Sequence, residues 1–209
     1  FRLVGSEMCI RDSNYSERLI YVNDKMTELQ IITSNNGKLR EFKEIFGDSK
    51  YVPVQNNIDY PEIQASSLEE VVDFGLDWLQ KTTKPPFVID DSGVFIDFFN
   101  GFPGVYTRYI YDTIGLKGVL RQMEDVEDRK CTFRCVLGLL TESGEKQKFV
   151  GECSGTLIKE LRGKGGFGYD PIFIPHGFEK TFAELSSDEK NSISHRGRAM
   201  RKLIDFLLK

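Results

Sequence analysis

Phe87-Val88-Ile89-Asp90-Asp91-Ser92-Gly93 sets three apolar residues directly before two carboxylates and a Ser-Gly pair. Val88 and Ile89 are β-branched, so the run predicts the end of a buried strand. Open α/β folds bind ligands beyond the carboxyl ends of their strands, and the acids fall at that point. Paired carboxylates there can hold a divalent cation and activate water. The plain alternative is an acidic turn, because Asp-Ser-Gly is also ordinary turn composition. The surrounding chain decides between them.

Toward the N-terminus, strands and helices alternate. Leu29 to Thr33 reads as a short strand, Asn35-Asn36-Gly37 as a turn, and Leu39, Phe42, Ile45 and Phe46 as the buried stripe of a helix that Gly47 ends. Tyr51 to Val54 predicts a second strand. Asn56 to Gln64, with Pro61, reads as a loop. Ser66 or Ser67 can cap the next helix, with Glu69 or Glu70 completing a capping box. Its stripe is Leu68, Val71, Val72, Leu76 and Leu79, and Pro85-Pro86 stops it.

Toward the C-terminus, Asn100 to Gly104 is a Gly/Pro loop and Asp112 to Met123 a short helix. Thr132 to Leu140 and Gln147 to Ile158 predict a hairpin around Ser143-Gly144. A glycine-rich loop from Gly163 leads to a short strand, Pro171 to Ile174. Ser194 to Lys209 reads as a closing helix with Ala199, Leu203 and Leu207 on one face. Hairpins and crossovers coexist, so the expected fold is one α/β domain, residues 26–209, with a mixed sheet.

The chain of 209 residues is long enough for a real core. Its net charge of −4 offers no general attraction to polymeric nucleic acid, so any anion must meet a local cluster of bases. No apolar run approaches a membrane span. Cys9, Cys131, Cys135 and Cys153 form no CxxC pair. Cys131 and Cys135 would lie roughly 13 Å apart along a strand, too far for a disulfide. Reduced thiols and a cytoplasmic location are the expectation. Residues 1–25 lack a clear period and an apolar h-region. They read as an extension outside the domain, with a natural start at Met26.

Four further motifs carry chemistry. Thr33-Ser34-Asn35-Asn36-Gly37-Lys38 stands at a strand-to-helix junction, where backbone N–H groups attract phosphate and Lys38 adds a point charge. The Walker A spacing is absent. Gly163-Lys164-Gly165-Gly166-Phe167-Gly168 matches a dinucleotide fingerprint by letter only. A strand-like segment follows it where that motif opens a helix. It reads better as a loop presenting Phe167 to stack on a base, with Asp170 nearby. Lys190, His195 and Arg196 gather cations at the start of the final helix, against its dipole, which suits an anion or a base edge. Zinc-type His/Cys spacing is missing. Glu62, in Tyr60-Pro61-Glu62-Ile63-Gln64, matters only as a second metal ligand facing Asp91.

Together the motifs T-x-N-x-x-K, Y-P-E-I-Q, D-D-S-G, N-G-F-P-G-V-Y, G-G-F-G-Y-D-P-I-F and E-K-N-x-x-S-H-R occur in one order. In this the chain resembles the inosine triphosphate pyrophosphatase family, the XTP/dITP diphosphatases, with spacing nearest the archaeal type, from about Leu29 to Lys209. The resemblance implies an elongated α/β domain with a central mixed sheet, two lobes flanking a cleft, and a homodimer. It implies Mg²⁺-dependent hydrolysis of ITP, dITP and XTP to the monophosphate and pyrophosphate. Carried over by motif, Thr33, Ser34, Asn35, Asn36, Gly37 and Lys38 would grip the triphosphate. Asp91 would be the general base and a metal ligand, with Glu62 the second ligand and Asp90 supporting the acidic cluster. Ser92 would contact substrate. Phe167, Gly168, Tyr169 and Asp170 would line the base pocket, and Lys190, His195 and Arg196 would complete recognition. Arg108 is a further candidate to face the phosphates.

The physical chemistry agrees. Phosphoryl transfer depends on positioning and charge neutralisation, and Mg²⁺ takes few carboxylates alongside waters and phosphate oxygens. An unperturbed Asp pKa of about 3.9 makes a weak base that a neighbour must tune. Hypoxanthine and xanthine carry an O6 acceptor where adenine carries a donor amino group. Arg196, His195 or backbone N–H groups could read that difference. Two other readings compete: a Maf-like pyrophosphatase acting on modified or pyrimidine triphosphates, and a nucleotide sensor without turnover.

Overall fold

The computed structural model describes residues 26–47, 49–61 and 63–209. The N-terminal extension, Cys9 and Glu62 lie outside the described residues.

Strand β1 (Thr27–Ile32) runs into helix α1 (Asn36–Phe46), which Gly47 ends at φ 48°, a left-handed conformation that suits glycine. Strand β2 (Tyr51–Asn56) and helix α2 (Leu68–Leu79) follow. Ser67 caps α2 by accepting from the Glu70 N–H. Strand β3 is Phe87–Ile96, and β4 is the two-residue Pro103–Gly104. Helix α3 (Thr107–Gln122) starts earlier than its apolar spacing predicts and kinks at Gly115, where φ is 63°. The expected hairpin forms as β5 (Lys130–Leu140) and β6 (Lys146–Leu157).

After a 3₁₀ turn at Asp170–Ile172 comes β7 (Phe173–Pro175), slightly beyond the expected strand. The expected closing helix forms as α5 (His195–Leu207), and a short helix that the sequence reading does not predict, α4 (Ser187–Ile193), precedes it. Ser194 makes the break. Its N–H donates to the Lys190 carbonyl and ends α4, while its Oγ accepts from the Gly197 N–H and opens α5. Lys190 therefore sits in the last turn of one helix, where a cation complements the dipole, and only His195 and Arg196 begin the next.

The seven-stranded sheet is mixed, in the order β2-β1-β3-β5-β6-β7 with β4 against β3. β1 is parallel to β2 and β3, and the remaining pairs are antiparallel. β1 pairs β3 only from Phe87 to Ile89, whereas β5 pairs β3 from Phe87 to Ile96. The acids accordingly lie inside a long strand, at the level where β1 has ended, and not in a turn after it. The continuous ladder with β5 overrides the turn composition of Asp-Ser-Gly.

Alternation along β3 sends Phe87 and Ile89 to a cluster under α2, and Val88 to a cluster with Phe42, Phe46, Ala199, Met200 and Leu203 of α1 and α5. Val94 and Ile96 join a third cluster with α3, Phe133, Phe173 and Phe182. The polar stretch Asp90–Gly93 lies between these apolar regions, which is where the sheet is open to a ligand.

Candidate active site

A cleft of about 460 Å³ opens there. It is lined by Thr33, Ser34, Asn35 and Lys38, by Asp90, Asp91 and Ser92, by Phe167, Gly168, Tyr169 and Asp170, and by Lys190, His195 and Arg196. Arg108 also lines it. Asn36 and Gly37, though in the same turn, do not.

Asn35 organises the turn at the head of α1. Its Oδ1 accepts from Gly37 N at 2.9 Å and Lys38 N at 3.1 Å, and its own N–H donates to Thr33 Oγ1 at 3.1 Å. Those two helix N–H groups are thus capped from within the chain. An anion in the cleft meets the side chains of Thr33, Ser34 and Lys38. Lys38 Nζ is drawn inward, 2.6 Å from Asp90 Oδ1 and 2.8 Å from the Asp90 carbonyl oxygen.

Behind that turn lies a buried network of charges. Arg196 donates from Nε to Asp90 Oδ2 at 2.7 Å, from Nη1 to Glu41 Oε2 at 2.7 Å and from Nη2 to Ser92 Oγ at 2.9 Å. Lys190 donates to Glu41 Oε1 and Asp170 Oδ2, both at 2.7 Å. Burial alone would raise the Asp90 carboxyl, but the Arg196 and Lys38 charges outweigh it and hold the group ionised, well below the usual carboxylate range. Glu41 is likewise lowered, its burial overcome by Arg196 and Lys190. Lys190 is raised: burial opposes its charge, and Asp170 and Glu41 restore it.

This arrangement revises three expectations. Asp90 faces α5 and serves as a counter-ion to Arg196 and Lys38, on the opposite face of β3 from Asp91, as strand alternation requires. Every guanidinium nitrogen of Arg196 is engaged, so Arg196 fixes the wall in place of reading O6 with an uncommitted fork. Glu41 holds the two cations together and was missed, because one Glu in an amphipathic helix reads as solvated. Its signal was position: it lies between Lys38 and Ile45 in steps of three and four, on the margin of the apolar stripe.

The glycine loop is pinned by Asp170, whose Oδ2 accepts from Phe167 N at 2.8 Å. Gly166 lets that carboxylate in, since a Cβ there would stand 2.0 Å from the same oxygen. The Phe167 ring has Lys190 Nζ 4.7 Å and Arg196 Cζ 5.5 Å from its centroid, cation–π distances. His195 is buried with its ring edge on Phe133, and its Nδ1 has no hydrogen-bond partner. Burial, then the Arg196 and Lys190 charges, push its pKa well below the ordinary value, so the imidazole is neutral. A buried polar atom without a partner is costly, and one at a cleft wall is suited to a ligand.

Asp91 lines the cleft half-buried. Among the described residues, no three His, Cys, Asp or Glu side chains converge as a metal cluster. Arg108 is largely exposed at the cleft mouth and pairs with Asp112 at 2.5 Å.

A model of the Ham1 family matches residues 29–206 of the chain. A dITP/XTP pyrophosphatase of Pyrococcus horikoshii is 51% identical over 176 residues, 84% of this chain and 94% of that protein. One from Thermococcus kodakarensis is 46% identical over 179 residues, 86% and 96% of the two chains. Among solved structures, a HAM1 protein from Coxiella burnetii superposes with a TM-score of 0.75 at 32% identity, covering 88% of this chain and 99% of that one. The Staphylococcus aureus Ham1 protein gives 0.74 at 32% identity, covering 87% and 98%.

Proposed function

The chain belongs to the Ham1 family, and from that premise we propose that it hydrolyses ITP, dITP and XTP to the monophosphate and pyrophosphate. The observation that carries this reading is the convergence of the Thr33–Lys38 turn, Asp91 and the Phe167–His195 wall on one cleft. Ser34, Lys38 and Thr33 would meet the phosphates, and Phe167 would stack on the base. Asp91 would orient a water for attack at the α-phosphorus. His195 or backbone N–H groups of the cleft wall would donate to O6, and adenine, with an amino group there, would leave such a donor unpaired. A site of this kind can discriminate by roughly 10⁴-fold.

The proposal includes Mg²⁺. Asp91, with Glu62, would hold it, and the ion would supply charge neutralisation at the phosphate oxygens. A sparse carboxylate set fits Mg²⁺, which keeps several waters and takes one or two carboxylates plus substrate phosphates.

The proposal also places the protein in the cytoplasm as a homodimer. Cys131, Cys135 and Cys153 are buried free thiols, burial raising Cys153 to about 11, and no described helix is long and apolar enough to cross a membrane. Phe98, Phe102, Tyr106 and Tyr109 are exposed, and a second copy would cover them. Light scattering tests the dimer.

The deciding experiment measures pyrophosphate release from dITP and dATP, with Mg²⁺ or with EDTA, for wild type and Asp91→Asn. Release from dITP with Mg²⁺, little from dATP, and loss in the variant support the reading. Orthophosphate as the product overturns it.

A further inference from the structure

Gly37 is the second residue of α1, a place where alanine is the better helix former. Its surroundings explain the glycine. A Cβ built there would stand 2.7 Å from Cδ1 and 3.0 Å from Cε1 of Phe167, and less tightly, 3.1 Å, from Asn35 Oδ1. The aromatic ring fills the volume a side chain at position 37 would take. The same ring is held by cation–π contact with Lys190 at 4.7 Å, and Lys190 is itself fixed between two buried carboxylates.

A methyl group at position 37 would force one partner to move. Helix α1 is anchored by buried Phe42 and Phe46 and by Glu41. Phe167 is only half-buried, on a loop whose Gly163, Gly166 and Gly168 all have positive φ. The ring is the softer element, so the ring would shift.

We infer that Gly37 is a positioning residue for the base platform: its missing side chain seats the Phe167 ring against the head of α1. Gly37 thereby sets the spacing between the ring and the turn that faces the phosphates. It acts on the base half of the substrate, although the sequence pattern groups it with the phosphate-gripping residues. The inference rests on the reading of Phe167 as the surface that stacks on the base.

The test compares wild type, Gly37→Ala, Phe167→Ala and the double variant. Steady-state kinetics on dITP are paired with inhibition by inorganic tripolyphosphate, which has the phosphates and no base. Gly37→Ala should raise KM about 3- to 10-fold with kcat within about twofold. The tripolyphosphate inhibition constant should stay put, and the double variant should be no worse than Phe167→Ala. A parallel rise in the tripolyphosphate constant, or independent effects in the double variant, would overturn the inference.

Thermal melting supplies a readout that needs no substrate. Gly37→Ala should lower the melting temperature more beside Phe167 than in the Phe167→Ala background, since the contact with Asn35 Oδ1 at 3.1 Å is common to both. Equal shifts in both backgrounds would refute the contact. Wild-type protein that releases no pyrophosphate from dITP would instead count against the proposed activity, and the melting cycle would still decide on Gly37.

Discussion

Arg196 Nε lies 2.7 Å from Asp90 Oδ2, with both side chains almost wholly buried, the arginine at 2% and the aspartate at 0% exposure. One residue opens α5 and the other lies within β3, 106 positions apart. Their contact ties the C-terminal helix to the strand that carries Asp91.

Removing one partner of such a pair leaves a buried charge uncompensated. Asp90→Asn should therefore cost about 3–5 kcal/mol of folding stability, measured by urea unfolding at neutral pH. Arg196→Met should cost a similar amount, since it takes from buried Asp90 and Glu41 one of the two cations each of them has. A loss under about 1 kcal/mol for both would mean that water reaches the pair.

His195 gives stability a pH dependence. Its pKa is depressed in the folded state, first by burial and then by the Arg196 and Lys190 charges. The folded protein thus binds fewer protons here than the unfolded chain. The contribution is complete above the unfolded value of about 6.5 and is lost as pH falls below it, by up to about 1.4 kcal/mol per pH unit. His195→Asn should flatten the curve of unfolding free energy between about pH 6.5 and 5. An unchanged slope would show that the imidazole titrates freely.

Asp90 and Glu41 act at lower pH. Both are depressed, despite burial, by their basic partners. Their stabilisation is present above about pH 4.5 and is lost as pH falls through the folded values. Circular dichroism during acid titration should show unfolding that starts below about pH 4.5 in wild type, with a shallower dependence in Asp90→Asn.

Phe167→Ala should weaken the base half of binding. Stacking on an aromatic contributes about 1–3 kcal/mol per base, so KM for dITP should rise roughly 5- to 150-fold. A fall in kcat at constant KM would instead assign the ring to the reaction step.

An ion-pair row on the far side of the sheet predicts salt sensitivity. Glu69, Asp73 and Asp77 of α2 meet Arg134, Lys148 and Lys146 of the hairpin. Such partly exposed pairs contribute about 0.2–1 kcal/mol each and are screened by salt. Lys148→Ala should lower the melting temperature by a few degrees at low ionic strength and by less in about 1 M NaCl.

The alternation of strands and helices was legible from Leu29 to Leu79, because apolar period and end signals agree there: Ser67 opens α2 and Gly47 ends α1, as those residue types predict. The hairpin at Ser143-Gly144 was legible for the same reason. The course of β3 through Asp90 and Asp91 was not, since its pairing with β5 is a long-range fact that local composition contradicts. The short helix α4 before Ser194 was not legible either, since its seven residues are mostly polar and carry no apolar stripe. Within the site, the spacing of motifs gathered the right segments. It could not distinguish residues facing the cleft from those, such as Glu41, that lie behind its wall and hold it.

Lys38, Lys190 and Arg196 stand against Asp90, Glu41 and Asp170, three cations against three carboxylates. The acids and bases behind the cleft are thus paired before any substrate arrives, Asp170 being the one carboxyl that burial pushes above its ordinary value. Its dipoles are oriented during folding, so an entering nucleotide finds them in place and little reorganisation is left to the moment of reaction. The free and occupied enzyme should share this wall almost unchanged.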